Sequence, residues 1–530
     1  MSPMTFWPVG HAGERMSFRR NVVASYASQI YVTLLGIAIL PLYLRQMGEE
    51  PYGLICFFSL LQSWFGLLDL GLTPTISRET ARFHGGTLSP RTFRQLFRAL
   101  ASLFFVIAVS GGLVLFLASG WIAERWLRFQ ALPLPQVMLA LEIMATSVAL
   151  RWLGGLYRGV VIGAEQFAWL SGFNAVIATL RFPAAFISML VFGTTTTVFF
   201  VHQLAVAILE ASWLAWRTYD ILPGEVPAVT GLGWSLRPVV PILKFSTTIA
   251  FTSSVWIVVT QTDKLILSGI LPLSEYGYFS LAVLVASGIT LITSPISSAL
   301  MPRLARLHAE GDEVGFIAIY RQSTRLISVI AACVTLSLVI CAEPALLAWT
   351  GSPILAHKAA PILKLYAAGN GLLVLGAFPF CLQYARGKLR YHLIGSAILI
   401  VLLLPSVIMA AKSFGGIGAG WVWLGINVIY LFGWVAYVHY RLEPGLHRNW
   451  MFEDILKSIA SPALFAAALA WLPFESTNRI YCLGFCLAVG AALLLPTLIT
   501  VRRLRRDPPP FGSPATLDPT EGPHFSSAHT

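Results

Sequence analysis

Residues 52–84 read YGLICFFSLLQSWFGLLDLGLTPTISRETARFH, and the pattern returns 224 residues later, at 276–308, as YGYFSLAVLVASGITLITSPISSALMPRLARLH. Tyr52-Gly53 falls on Tyr276-Gly277, and Ala81-Arg82-Phe83-His84 falls on Ala305-Arg306-Leu307-His308. Eight of the 33 positions are identical without a gap. Shared apolar composition inflates chance matches in such sequence, but it does not explain equal spacing of the Tyr-Gly opening and the Arg-containing exit. Between those landmarks each copy holds an apolar run of the length that one helix needs to cross hydrocarbon, about 20 residues. The chain therefore repeats a membrane segment.

Working outward from this pair, apolar stretches recur at 21–44, 53–73, 99–119, 134–153, 167–191, 198–217, 245–268, 277–299, 326–347, 361–383, 393–411, 417–439, 458–473 and 480–500. They predict an all-α integral membrane protein of about fourteen transmembrane helices. Composition agrees: 56% of the 530 residues are hydrophobic and 11% are charged, against about 25% charged in a soluble domain. So few charges cannot cover a water-facing surface. The net charge of +12 does not point to nucleic acid, because the basic residues recur as small groups between apolar runs instead of gathering on one face. The six cysteines fall in or at the ends of apolar spans, with no histidine at ligand spacing beside Cys482 and Cys486. They read as packing residues, with neither a metal site nor a cofactor expected.

With the N-terminus inside, the inside segments, together with Arg151 and Arg217 at the inner ends of their spans, hold 27 of the 36 Lys and Arg residues and the outside loops hold six. The positive-inside rule then sets both termini in the cytoplasm. No short apolar core with a cleavage site opens the chain, so the first helix is expected to act as an uncleaved signal. Six helices separate the repeat copies, an even number, so the halves share one orientation. They are expected to be related by an axis along the membrane normal, as in many transporters, with a cavity between two lobes that rock against one another. The expected organisation is a cytoplasmic N-terminal segment 1–18, lobe 1 at 19–217, a Pro- and Gly-rich cytoplasmic linker 218–244 and lobe 2 at 245–440. Two further helices follow at 441–506, then a disordered cytoplasmic tail at 507–530.

The run IAILPLYLRQMGEEPYGLICFFSLLQSWFGLLDLGLTPTISRETARF resembles the opening of bacterial polysaccharide-biosynthesis membrane proteins, the O-antigen and exopolysaccharide flippases of the multidrug/oligosaccharidyl-lipid/polysaccharide exporter superfamily. The carrying residues are Asp69 and Gly71 in LLDLGL, then Ser77, Arg78 and Ala81. In the second half TDKLILSGILPLSEYGYFSLA is similar, with Asp263, Lys264, Gly269, Glu275, Tyr276 and Gly277. The similarity runs over about residues 19–440 and marks the family well but the transported sugar hardly at all. It implies a flippase in the bacterial inner membrane, carrying undecaprenyl-diphosphate-linked oligosaccharide from the cytoplasmic to the periplasmic leaflet for O-antigen, capsule or exopolysaccharide assembly. Polysaccharide polymerase or assembly proteins are then partners to consider, alongside membrane lipids. Lipid II flippases and multidrug antiporters of the same superfamily are the alternatives. The arginine-rich start of the lipid II flippases is not found here. A membrane-embedded glycan polymerase is a more distant alternative, since such an enzyme needs a sizeable outside loop, and this chain offers only Glu49 and Glu50 in a short turn.

A diphosphate head group cannot cross bare hydrocarbon, so a flippase needs a wet, partly cationic chamber and no nucleophile. The membrane potential supplies about 2.3 kcal/mol per charge per 100 mV, and coupling to H+ or Na+ is equally open. Charges within spans are default functional candidates. Arg181 is the deepest cation, about 20 Å from the inner face at about 1.5 Å per residue. It meets phosphate or forms an ion pair with Glu142, which lies at similar depth. Pro183 is expected to bend the helix and free carbonyls. Lys264, Lys364 and Arg45 are further substrate-binding candidates, with interface anchoring the alternative for Lys364 and Arg45. Asp263 and Glu210 are coupling candidates. Asp69 is expected to cap backbone or pair with Arg78, beside a bend at Gly71 and Pro74.

Overall fold

The computed structural model describes residues 12–224, 240–471, 474 and 476–506, with backbone only for 12–20, 22, 240–253, 292–299 and 503–506. Most of the expected N-terminal segment, the middle of the expected linker and the tail 507–530 lie outside the described residues. The described chain is helical, with a single isolated bridge between Arg128 and Pro272. Its helices are α1 (Ala12–Met47), α2 (Glu49–Phe65), α3 (Leu72–His84), α4 (Pro90–Trp121), α5 (Leu134–Gly163), α6 (Phe167–Thr179), α7 (Ala185–Phe192), α8 (Thr196–Ile221) and α9 (Val240–Ile270). There follow α10 (Leu273–Ala309), α11 (Glu313–Ile340), α12 (Ala342–Thr350), α13 (Pro353–Ala385), α14 (Arg390–Ile429), α15 (Val435–Leu442), α16 (Leu446–Asn449), α17 (Lys457–Ala470) and α18 (Arg479–Arg506).

Among the described residues each predicted span falls mainly on helix. The reason is the solvent: in hydrocarbon each backbone N–H and C=O must find its partner within the segment. Ten segments among the described residues are long and apolar enough to cross a bilayer. One of them, Arg390–Leu442, takes in two predicted spans and is broken at Gly415, whose φ of 59° suits glycine. Large apolar side chains such as Leu117, Phe192, Val401 and Leu464 stand exposed, as lipid-facing positions do in a multi-pass membrane protein. Helix starts are capped where the sequence supplies an oxygen. Ser89 accepts from the Thr92 N–H before α4, Thr195 from Val198 before α8, and Asp312 from Gly315 before α11.

The chain forms two compact units. The first comprises Met1–Leu281, Trp349–Ala359 and Ser396–Val422, and the second Ala282–Ala348, Ala360–Gly395 and Trp423–Thr530. In the first unit Phe93, Phe97, Leu100 and Phe104 of α4 pack on Leu156 and Val160 of α5 and on Leu72 and Ile76 of α3. Small residues let α5 and α3 touch: a Cβ on Gly163 would lie 2.2 Å from the Ser77 carbonyl oxygen. The repeated Tyr-Gly elements also meet within this unit. A Cβ on Gly53 would lie 2.0 Å from the Leu273 carbonyl oxygen, and one on Gly277 would lie 3.1 Å from Tyr52. The neighbouring Glu50 carboxylate accepts from the backbone N–H groups of Gln130, Ala131 and Leu132 at 2.7, 2.8 and 3.0 Å.

In the second unit α11, α17 and α18 pack through Cys333, Cys341, Ala466, Val489 and Leu493. Asp454, fully buried just ahead of α17, accepts from Arg321 Nε at 2.7 Å and Arg325 Nε at 2.5 Å. Arg386 pairs with Glu313 at 2.7 Å and with Glu443.

Candidate functional site

Helix α5 carries Arg151 and Arg158 seven residues apart, two turns, so both project from one face. The sequence places Arg181 and Pro183 together, and there the chain leaves α-helical geometry for a π turn over Leu180–Ala184. Proline has no N–H to give and its ring crowds the preceding turn, so a wider turn relieves the clash. Where a bend was expected, the structure has this π turn between α6 and α7. The turn brings Arg181 to Glu210, on α8, with which it forms an ion pair. Arg158 reaches the other oxygen of the same carboxylate at 3.3 Å, and its second arm donates to Asn174 of α6 at 2.7 Å. Arg151 is held by neutral amides, donating to Gln62 of α2 at 2.9 Å and to Gln203 of α8 at 2.6 Å. The Arg151 guanidinium also lies 5.0 Å over the Phe58 ring.

Glu210 thus pairs with two guanidinium groups, and the third, on Arg151, has only neutral partners, so the three arginines exceed their one carboxylate by two positive charges. Glu210 is buried, at 8% side-chain exposure, while Arg158 and Arg181 keep 32% and 27%. The arginines keep open surface and their counter-ion does not. The Nε atoms of Arg151 and Arg181 are buried without an acceptor among the described residues. Donors of fixed geometry and uncompensated charge are what an anion with several oxygens would satisfy.

A family model for polysaccharide biosynthesis proteins matches residues 18–308 of this sequence, more than half of the chain. The chain belongs to the polysaccharide biosynthesis protein family. A curated relative, a putative O-antigen transporter of Shigella flexneri, is 21% identical over 416 residues, covering 78% of this chain and 96% of that protein. Among solved structures, the lipid II flippase MurJ in an inward closed conformation superposes with a TM-score of 0.70 at 13% identity, over 92% of this chain and 99% of that one. A multidrug resistance MATE family transporter of the MOP superfamily, inward-facing, gives 0.60 at 11% identity, over 79% of this chain and 96% of that one. At these identities the likeness shows the fold alone.

In this family member several of the other sequence candidates bond close to their own positions in the chain. Glu142 is half-buried on α5 and is not the partner of Arg181, which takes Glu210 instead. Rotation about the helix axes decides this, and depth alone does not reveal it. Asp69 accepts from the Thr73 N–H at 3.2 Å and its hydroxyl at 2.5 Å, capping the start of α3 after Leu70 and Gly71 turn to positive φ. Arg78 is exposed on α3. Asp263 is buried and accepts from the Lys264 N–H at 2.7 Å, while Lys264 Nζ reaches back to the Thr260 carbonyl at 2.5 Å. Arg45 in the last turn of α1 is exposed, and Lys364 is exposed on α13 in the second unit. Sequence reading missed Arg158 because the predicted span ended at 153 whereas α5 runs to Gly163, and it passed over Arg151 because that residue stands at the inner end of the span. The signal was present in the two-turn spacing RWLGGLYR.

Proposed function

We propose that this protein is a flippase that translocates undecaprenyl-diphosphate-linked oligosaccharide from the cytoplasmic to the periplasmic leaflet of the bacterial inner membrane, for O-antigen, capsule or exopolysaccharide assembly. One observation carries the reading: Arg151, Arg158 and Arg181 gather around the single carboxylate of Glu210 inside an apolar helical domain. Charge in hydrocarbon costs several kcal/mol or more, so such a cluster is retained for a substrate of opposite sign. A diphosphate brings two or three negative charges and a set of acceptor oxygens, which complement the excess charge of the guanidinium groups. The sequence likeness to a putative O-antigen transporter over 96% of its length supports the same substrate class.

In this reading two like-oriented lobes, 19–217 and 245–440, work by alternating access while the polyprenyl tail stays in the bilayer. Both termini are cytoplasmic. The arginines hold the phosphates electrostatically and no covalent step is needed, so the protein is not an enzyme. The membrane potential favours outward movement of the anion, and an H+ or Na+ gradient is an additional partner.

The test is a clean deletion strain without a paralogue. Lipid-linked oligosaccharide is expected to accumulate on the cytoplasmic side, and Arg151→Ala or Arg181→Ala at matched expression is expected not to restore export. Normal surface glycan in the deletion, or full export by both variants, would overturn the proposal. Accumulated lipid II with normal surface glycan would move the substrate to the peptidoglycan precursor.

A further inference from the structure

Side chains from other helices reach three consecutive carbonyl groups of the π turn at Leu180–Ala184, the last of which also accepts the Ala185 N–H. His202 Nε2 lies 2.9 Å from the Leu180 oxygen, Gln203 Nε2 donates to the Arg181 oxygen at 2.8 Å, and the Tyr43 hydroxyl donates to the Phe182 oxygen at 2.8 Å. The His202 contact requires Nε2 to carry the proton, leaving Nδ1 to accept from Ser188 at 2.9 Å. Tyr43 and Gln203 are buried, at 1% and 5% exposure. The turn that aims Arg181 is thus fastened from α1 and from α8.

Gln203 does a second thing. Its amide oxygen accepts from Arg151 at 2.6 Å while its amide nitrogen holds the Arg181 carbonyl. The orientation of the amide is fixed by its partners, since a flipped group would set donor against donor and oxygen against oxygen. One buried side chain therefore spans the two arginines and consumes both of its polar ends in doing so.

We propose that Gln203 is a positioning residue that sets the spacing of Arg151 and Arg181, and so governs how tightly the cluster grips a diphosphate head group it does not itself touch. The inference rests on the reading of the arginine cluster as the head-group site. Neither Glu nor Met can replace the amide: Glu has no donor for the Arg181 carbonyl, and Met has neither donor nor acceptor at the right places. Asn keeps both groups but is one methylene short of reaching them.

The experiment measures binding of a fluorescent short-chain polyprenyl diphosphate to the full chain in nanodiscs. The variants are Gln203→Met, Gln203→Asn, Arg151→Ala, Arg181→Ala and the Gln203→Met/Arg151→Ala double variant. Gln203→Met and Gln203→Asn are each expected to weaken binding about tenfold, within the range of coupled neighbours. In the Arg151→Ala background Gln203→Met is expected to add less than about twofold, because the partner it positions is gone. A merely structural role would lower the melting temperature and leave the full binding penalty in the double variant, and this result would overturn the proposal. So would wild-type binding by Gln203→Asn if Gln203→Met fails to fold. Wild-type binding by Arg151→Ala and Arg181→Ala would instead sink the head-group reading itself.

Discussion

Replacing Glu210 by Gln separates the two roles of the arginine cluster, because it moves stability and affinity in opposite directions. The carboxylate is buried and bridges Arg158 and Arg181. Removing one partner from a buried ion pair costs about 3–5 kcal/mol. Both arginines retain roughly a third of their exposure, 32% and 27%, so solvent relieves part of that loss and about 3 kcal/mol is the fitting magnitude. Meanwhile the cluster goes from two excess positive charges to three. A like charge removed about 8 Å from a bound phosphate is worth about 2 kcal/mol at an effective dielectric near 20. Screening at these half-exposed groups leaves about a tenfold gain in affinity for a diphosphate lipid. Thermal unfolding and equilibrium binding in nanodiscs measure the two effects on one preparation. Unchanged stability would show that Glu210 is not the counter-ion holding the arginines. Weaker binding would show that the carboxylate helps to recognise the ligand, and the anion-site reasoning would fall.

Two further outcomes follow from the packing. A Cβ on Gly163 would lie 2.2 Å from a backbone oxygen of α3 and 2.6 Å from Thr80 Cβ, so Gly163→Val must push the helices apart. Overpacking of this kind costs about 1–3 kcal/mol, and a melting temperature equal to wild type would contradict the close approach. Burial raises the Glu443 carboxyl above its ordinary 4.5 in spite of Arg386, which lowers it. The stability linked to this group is complete below pH 4.5 and is lost as pH climbs through the raised value. Unfolding free energy of wild type is therefore expected to fall relative to Glu443→Gln as pH rises from 4.5. A difference that stays constant across that range would refute it.

The helices were legible because a bilayer imposes a length and an apolarity that few other environments demand. Span 134–153 shows where that signal stops. Lipid-facing hydrophobicity ends at about residue 153, but the helix continues to Gly163 with Arg158 turned toward Asn174 and Glu210. An arginine that faces protein is invisible to a hydropathy window and passes for a loop cation. Arg181 and Pro183 could be singled out from sequence because a charge and a proline inside a span each violate a local rule. Glu210 was also singled out, as a coupling candidate, but its pairing with Arg181 was not legible. Glu210, Gln203 and Tyr43 reach the site from helices distant in sequence, and only packing fixes which faces meet. Asp69 was readable as a cap because Thr73 lies a single turn away.

The Tyr-Gly pair at the start of each repeat is the same two letters under unequal pressure. Gly53 abuts a main-chain oxygen with no room for even one methyl, whereas Gly277 faces a tyrosine ring that can shift by a few tenths of an ångström. An added methyl is therefore expected to be excluded at position 53 and to be accommodated at position 277 by a small movement of the ring.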